Sequence, residues 1–284
     1  MLSIDTSSLA KHLSNNSVPY KEPISRVNWR ALNHTQFWLP EAAISLFGTP
    51  EYNSLTDTQR KNISHQELLH LIEFGLWLEG IFIKRLCTSD LISETSLSIG
   101  KYCLFEIQEE IGHSLMFLRF IEQCGYARVP INRKMLTQYE KFWSLLSIKS
   151  SLFWTFVLAG EEIPLRMNRF MLREKQGLNQ TVLDIVKIHT IDESRHVSHA
   201  NAMVIDTLKS ANTLSKLILR FLVPKLIKRF TEVFFYPMPE IYSRAGLPDN
   251  IDWAKIARQN PTRHKFVHQQ LENTLRPLHQ DSII

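Results

Sequence analysis

The stretch that decides the fold is Ile188-His189-Thr190-Ile191-Asp192-Glu193-Ser194-Arg195-His196. On an α-helix, which turns about 100° per residue, steps of four and then three residues place His189, Glu193 and His196 within one narrow stripe. Two imidazoles and one carboxylate on a single face can supply half of a metal site, because divalent transition metals accept both kinds of ligand. We therefore expect the rest of the chain to supply the other half.

A second Glu-x-x-His motif lies in the stretch Gln108-Glu109-Glu110-Ile111-Gly112-His113, within another apolar helical pattern. In ferritin-like bundles, two such motifs and one glutamate from each of two further helices form a dinuclear carboxylate site. Glu79 fits this role because its helical neighbours are apolar, and Glu162 fits because it follows the apolar run 152–159. A buried carboxylate is unfavourable unless it is paired or bound to a metal. The sequence therefore predicts a dinuclear metal site.

Several alternatives remain open at this point. Glu73 is the alternative to Glu79 on the first long helix. A third Glu-x-x-His motif, Glu67-Leu68-Leu69-His70, is interpreted as surface or structural, since uniformly apolar surroundings occur only near Glu79. Without a metal, the same buried groups would form a purely structural polar network.

The residues beside the predicted ligands suggest supporting roles. Spacing alone does not decide the role of His189, which can be a metal ligand or a hydrogen-bond partner of one. Asp192 and Glu109 each directly precede a predicted ligand glutamate and suit the orientation of histidine ligands. Arg195 can pair with one of these carboxylates or form an exposed salt bridge.

Apolar periodicity predicts an all-α fold, a ferritin-like four-helix bundle with additional N- and C-terminal helices. The four long helices are expected near 63–86, 93–124, 150–174 and 181–208, with a kink at Pro164 in the third. Shorter helices are expected near 136–146, 214–235 and 264–275, the second of them bent or broken at Pro224. We expect one domain over 1–284, with an N-terminal arm (1–38), a helical metal-binding core (39–235) and a C-terminal extension (236–284) packed on the core.

Composition excludes several other classes of protein. The chain has 284 residues, of which 44% are hydrophobic, and charged residues interrupt every apolar run long enough to cross a membrane. Its first residues lack the pattern of a secretory signal. The isolated Cys87, Cys103 and Cys124 argue against disulfides and against thiolate metal ligation, which fits the cytoplasm. The net charge of +5 comes from scattered basic residues, so neither a nucleic acid nor a membrane is an expected partner.

The segment Asp192-Glu193-Ser194-Arg195-His196 resembles the Asp-Glu-x-Arg-His signature of bacterial diiron monooxygenases. His189, four residues before Glu193, resembles the extra histidine that marks the p-aminobenzoate N-oxygenase family. The resemblance covers roughly residues 40–235 and implies a third histidine ligand on one iron. The metal ligands that it implies are Glu79, Glu110, His113, Glu162, His189, Glu193 and His196.

The same resemblance implies a function. It implies two Fe ions, with O₂ as co-substrate, that oxidise a small organic substrate, most often an amine nitrogen that becomes a hydroxylamine or nitro group. Other possible functions are C-hydroxylation or desaturation of a carrier-bound substrate, and ferritin-like handling of iron or peroxide. A metal-free helical scaffold is the simplest alternative, and a centre with manganese in one position is another.

Two kinds of partner follow from this expectation. None of the nine glycines forms a Gly-x-Gly, so we expect an external electron donor of the ferredoxin or flavin reductase type. The other expected partners are a small-molecule substrate, free or carrier-bound, and a second copy of the chain in a homodimer.

Arg166 and Arg169 are candidates to bind a substrate carboxylate, although a surface position is the favoured interpretation. The candidate pocket wall, one turn from the ligands, consists of Phe82, Leu86, Phe117, Thr155, Leu158, Ala159, Ile185, Val197 and Ala200.

Overall fold

The computed structural model describes residues 5–87, 96–129, 133–272 and 274–280. Within these ranges all regular elements are helical, and the only β-type contact is an isolated bridge between Phe37 and Leu178. The predicted all-α class is therefore confirmed. The α-helices are α1 (Thr6–Asn16), α2 (Pro50–Ser54), α3 (Asp57–Leu86), α4 (Leu97–Gln123), α5 (Arg133–Leu145), α6 (Ser151–Arg173), α7 (Gln180–Lys209), α8 (Thr213–Phe235), α9 (Glu240–Arg244), α10 (Trp253–Gln259), α11 (Pro261–Leu271) and α12 (Arg276–Gln280).

The four long helices α3, α4, α6 and α7 form the bundle, and each begins at a polar residue that caps it. The side chains of Thr56, Ser96, Ser150 and Asn179 each accept a hydrogen bond from a backbone N–H in the first turn of their helix. Thr56 and Gln59 form a complete capping box at the start of α3. Such caps satisfy backbone donors that a helix leaves unpaired, so they fix where each helix begins.

The two interior prolines do not end their helices. Helix α6 continues past Pro164 and α8 continues past Pro224. The break considered at Pro224 therefore does not occur. Between 235 and 264, where the sequence analysis placed no helix, the chain forms the short helices α9 and α10.

The arm and the extension both pack on the bundle. Helix α1 lies against α4 and α7, and Trp38 and Leu39 are fully buried. In the extension, the buried Arg263 donates hydrogen bonds to the backbone carbonyls of Ala43 and Phe235. This one guanidinium thus connects the N-terminal segment, the end of α8 and the C-terminal segment.

None of the helices formed by the described residues combines the length and the apolar composition that a membrane crossing needs.

Candidate metal centre

The bundle brings together two groups of buried ligand atoms. The first group consists of Glu79 from α3, His113 from α4, and His189 and Glu193 from α7; the second consists of Glu110 from α4, Glu161 from α6, and Glu193 and His196 from α7. Within each group the ligand atoms lie within 4.8 Å of one another. Glu193 belongs to both groups, so the arrangement can hold two neighbouring cations that share a carboxylate.

The structure corrects one predicted ligand. Glu162 lies outside the two groups, and its Oε2 accepts a hydrogen bond from the backbone N–H of Leu275 at 2.9 Å. Its other oxygen lies 3.8 Å from Arg166 Nε. The neighbouring Glu161, which the sequence analysis did not select, lies in the second group. Adjacent residues point about 100° apart around a helix, so only one of the two can face the bundle interior.

The structure also separates the alternatives on α3. Glu79 lies in the first group, whereas Glu73 forms a bidentate ion pair with Arg128, with N–O distances of 2.8 and 2.6 Å. Glu67 accepts hydrogen bonds from Ser45, and His70 donates one to the Val233 carbonyl. The third Glu-x-x-His motif is therefore buried and structural.

His113 and His196 present the same ring nitrogen to the carboxylates. His113 Nδ1 lies 3.3 Å from Glu110 Oε2 and 3.4 Å from Glu193 Oε1. His196 Nδ1 lies 3.1 Å from Glu110 Oε1 and 3.5 Å from Glu193 Oε2. The Nδ1 atoms are thus the ones placed to bind a metal.

The other ring nitrogens are held by carboxylates. His113 Nε2 donates to Asp192 at 3.2 Å, and His196 Nε2 donates to Glu109 at 2.9 Å. Arg195 Nη2 lies 2.6 Å from an oxygen of each of these carboxylates. A carboxylate on the outer nitrogen fixes the tautomer and orientation of a histidine ligand. Asp192, Glu109 and Arg195 therefore lie where they can hold both imidazoles in position.

His189 has a different type of partner. Its Nε2 lies 3.2 Å from Glu79 and 3.1 Å from Glu193, while its Nδ1 is hydrogen-bonded to the Asn168 side-chain amide at 2.8 Å. Asn168 was not predicted, although it lies two helical turns after Glu161 on the same face of α6. The outer nitrogen of the third imidazole is thus held by a neutral amide instead of a carboxylate.

The unpaired atoms of the cluster fit a metal. Among the ligand atoms of the two groups, four buried ones lack a hydrogen bond to any described residue: Glu110 Oε1, His196 Nδ1 and both carboxylate oxygens of Glu193. Unpaired buried polar atoms are strongly unfavourable. Their lone pairs converge within the cluster, and a set of carboxylates and imidazoles without sulfur suits iron or manganese. The residues present therefore fit a dinuclear metal centre.

The charges of the cluster are strongly interdependent. Burial, reinforced by the Glu110 carboxylate, raises the pKa of Glu79 well above its usual value, and burial together with Glu193 does the same for Glu161. Burial opposes ionisation of Glu110, but the charge of His196 together with hydrogen bonds to Glu79 and His113 outweighs it and lowers the pKa to about 2. Burial likewise opposes protonation of His113, but hydrogen bonds to Asp192 and Glu110 raise its pKa to about 9. Without a metal, the cluster is therefore neutralised by protons on some carboxyls and on imidazoles.

A cavity of about 70 Å³ lies beside the cluster. Its polar lining consists of Glu79, Glu161, Asn168 and His189, and the other lining side chains are apolar. A Cβ on Gly160 would lie 2.6 Å from Phe82 Cζ, so the absence of a side chain at 160 lets the Phe82 ring form one wall. The cavity thus offers an apolar space that ends at the metal-binding groups.

The predicted wall is only partly correct. Phe82, Phe117 and Ile185 line the cavity. The other six predicted residues do not line it: Leu86, Thr155, Leu158, Ala159, Val197 and Ala200. A residue one turn from a ligand can face a neighbouring helix rather than the cavity. Arg166 and Arg169 do not line the cavity either, since Arg166 lies beside Glu162 and Arg169 donates to Ser194.

Comparison with protein families identifies the chain. The model of the family described as P-aminobenzoate N-oxygenase AurF matches residues 4–280. The chain belongs to the AurF family. The predicted family is therefore confirmed. Membership makes this AurF-family protein an oxidoreductase of the diiron type, and the two ligand groups are the candidate positions for its dinuclear metal site.

Curated relatives of this AurF-family protein and a solved structure add two observations. The uncharacterized proteins Rv0885 of Mycobacterium tuberculosis and Mb0909 of Mycobacterium bovis are each 22% identical over 235 residues, which cover 81% of this chain and 69% of the relative. A solved variant of an R2-like ligand-binding oxidase, reconstituted anaerobically with a Mn/Fe cofactor, superposes with a TM-score of 0.54 and 14% identity, covering 96% of this chain and 93% of that one. The superposition shows that the two chains share a fold.

Proposed function

We propose that this protein uses two Fe ions and O₂ to oxygenate the nitrogen of a small amine, giving a hydroxylamine or nitro product. The observation that carries the proposal is the position of His189, whose Nε2 lies 3.2 Å from Glu79 and 3.1 Å from Glu193. This adds a third imidazole to the two Glu-x-x-His motifs. Family membership supports the same reaction.

In the step from the amine to the hydroxylamine, one atom of O₂ enters the substrate and the other leaves as water, which consumes two electrons and two protons. Conversion of the hydroxylamine to the nitro product would consume a second O₂ and release a second water. The two iron ions would supply the reduction of O₂ and the transfer of oxygen. The electrons would come from an external donor of the ferredoxin or flavin reductase type. Asp192, Glu109 and Arg195 keep the imidazoles oriented, and the apolar cavity walls exclude water from the reacting nitrogen.

The cavity lining also indicates which amines would fit. Of the described residues that form it, none is a lysine or an arginine. A carboxylate on the substrate would be desolvated there without a cationic partner, which costs several kcal/mol or more. We therefore expect an uncharged, largely apolar amine, in which the nitrogen faces Glu79, Glu161 and His189.

The test compares matched substrates under single-turnover conditions. The purified protein is loaded anaerobically with Fe(II) and mixed with ¹⁸O₂ and either a neutral arylamine or the same arylamine carrying a carboxylate. Mass spectrometry should find ¹⁸O on the nitrogen of the neutral amine and much less on the charged one. Label on carbon would indicate C-hydroxylation instead. Iron oxidation without an organic product would indicate ferritin-like iron handling.

A further inference from the structure

A third group of potential ligands lies outside the dinuclear centre. Cys103 and Glu106 on α4 and His199 on α7 are all buried, and their ligand atoms lie within 4.8 Å of one another. Glu106 precedes Glu110 by four residues, and His199 follows His196 by three. The group therefore lies one helical turn beyond the dinuclear centre, on the same faces of α4 and α7 that carry its ligands. It forms a second contact between these two helices.

The hydrogen bonding of this group is incomplete. His199 Nδ1 lies 2.9 Å from Glu106 Oε2, so the two side chains face each other directly. Within the described residues, Glu106 Oε1, His199 Nε2 and the Tyr102 hydroxyl have no hydrogen-bond partner, although all three residues are at most 1% exposed. A buried polar group without a partner costs free energy that a ligand at this position would recover.

We propose that Cys103, Glu106 and His199 bind a zinc ion that is separate from the dinuclear centre. Zinc accepts thiolate, imidazole and carboxylate together in a tetrahedral arrangement, and three protein ligands leave one position for a further oxygen donor. The dinuclear groups contain only carboxylates and imidazoles, which suit iron or manganese, so the sulfur distinguishes the two sites. The isolated cysteines argued against a thiolate site because such sites usually contain cysteine pairs; here the second and third ligands are a carboxylate and an imidazole.

The first experiment measures metal content. The full-length protein is expressed in medium with zinc and iron, and both metals are quantified after extensive desalting. We expect about one zinc for every two irons in the wild type, and Cys103→Ser should lose the zinc while keeping the iron. The matched control is Cys124→Ser, because Cys124, the residue that directly follows α4, is also buried but donates only to the backbone carbonyls of Ile121 and Tyr126. Equal zinc in wild type and Cys103→Ser would overturn the proposal.

The second experiment replaces zinc with Co²⁺ and needs no folded Cys103 variant. A thiolate bound to Co²⁺ gives a near-ultraviolet charge-transfer band, whereas carboxylate and imidazole ligands do not. The band should appear in the wild type, in Cys87→Ser and in Cys124→Ser, which together assign it to Cys103. His199→Gln should weaken the band. Lack of the band in the wild type would overturn the proposal, as would its loss in Cys87→Ser or Cys124→Ser.

Discussion

At the scale of single residues, Glu161 is the α6 carboxylate in the second ligand group. Replacing Glu161 with alanine removes one carboxylate from the second group. Loss of even an outer partner of a ligand typically weakens metal binding about 10–100-fold, so we expect at least a ~10-fold loss for Glu161→Ala. Iron per chain, measured after desalting against a weak chelator, should fall accordingly.

Glu162→Ala is the matched control on the adjacent position. It removes the acceptor for the Leu275 N–H and the neighbour of Arg166, but none of the ligand atoms. Its iron content should stay at the wild-type level, while stability should fall by about 1.5–3 kcal/mol, as is typical for a hydrogen bond to a charged group. Iron loss in Glu162→Ala with retention in Glu161→Ala would restore the assignment made from sequence.

The sequence did contain a signal that separates these two glutamates. Glu162 shares a face of α6 with Arg166, Arg169 and Arg173, at steps of four, three and four residues. Such a charged stripe is typical of the outer face of a helix. Glu161 instead shares its face with Leu165 and Asn168. The apolar run 152–159 did not reveal which of the two glutamates faces the bundle interior, because that run is apolar on all sides of the helix.

At the scale of elements, one histidine connects α3 to α8 in a way that depends on pH. His70 Nε2 donates to the Val233 carbonyl at 2.8 Å, and its Nδ1 is buried without a hydrogen-bond partner among the described residues. Burial lowers the pKa of His70 to about 4, because a proton on Nδ1 would be neither solvated nor paired. The folded protein therefore keeps this imidazole neutral in mild acid.

We expect the free energy of unfolding of the wild type to fall in acid, and we expect it to fall less in His70→Gln. The unfolded histidine takes up a proton below about pH 6.5, whereas the folded one does so only near its own lower pKa. The stability that His70 contributes is thus complete above pH 6.5 and lost as the pH falls towards 4, by up to about 3 kcal/mol. Urea unfolding at neutral and mildly acidic pH should show a smaller pH effect in His70→Gln than in the wild type.

The exposed His12 provides the control for this measurement. His12→Gln makes the same substitution outside the core and is unfolded in urea at the same two pH values. If His70→Gln and His12→Gln retain the same acid sensitivity as the wild type, His70 is not the group responsible.

The helices themselves were largely predictable, whereas the cavity was not. Apolar periodicity and capping residues such as Thr56 and Asn179 act locally, so the sequence indicates where helices lie. The cavity depends on how each helix is rotated against its neighbours. Phe82 borders it and Leu86, one turn later on the same helix, does not. The partner of Glu162 lies 113 residues away in sequence, which no local pattern can indicate.

At the scale of the whole molecule, the four long helices converge on the same buried groups. Helices α3, α4, α6 and α7 each contribute at least one carboxylate or imidazole, so ions bound there would connect all four. A ligand that binds only the folded chain stabilises it by about 2.7 kcal/mol when its concentration is 100 times its dissociation constant. Removing the metal should therefore lower the melting temperature of the entire bundle.

This stabilisation should weaken as the pH falls. Burial raises the pKa of Glu79 and Glu161, and carboxylate partners outweigh burial to raise the pKa of His113 and His196, so a metal must displace protons from these groups. Proton displacement becomes less favourable in acid. The difference in melting temperature between Fe(II)-loaded and metal-free protein should therefore be smaller at about pH 6 than at about pH 8. Both melting temperatures are measured anaerobically by circular dichroism. Glu110→Ala, which removes a ligand from the second group only, should show a smaller difference than the wild type at both pH values. A shift that is independent of pH, or that is undiminished in Glu110→Ala, would mean that the ions bind outside the two groups.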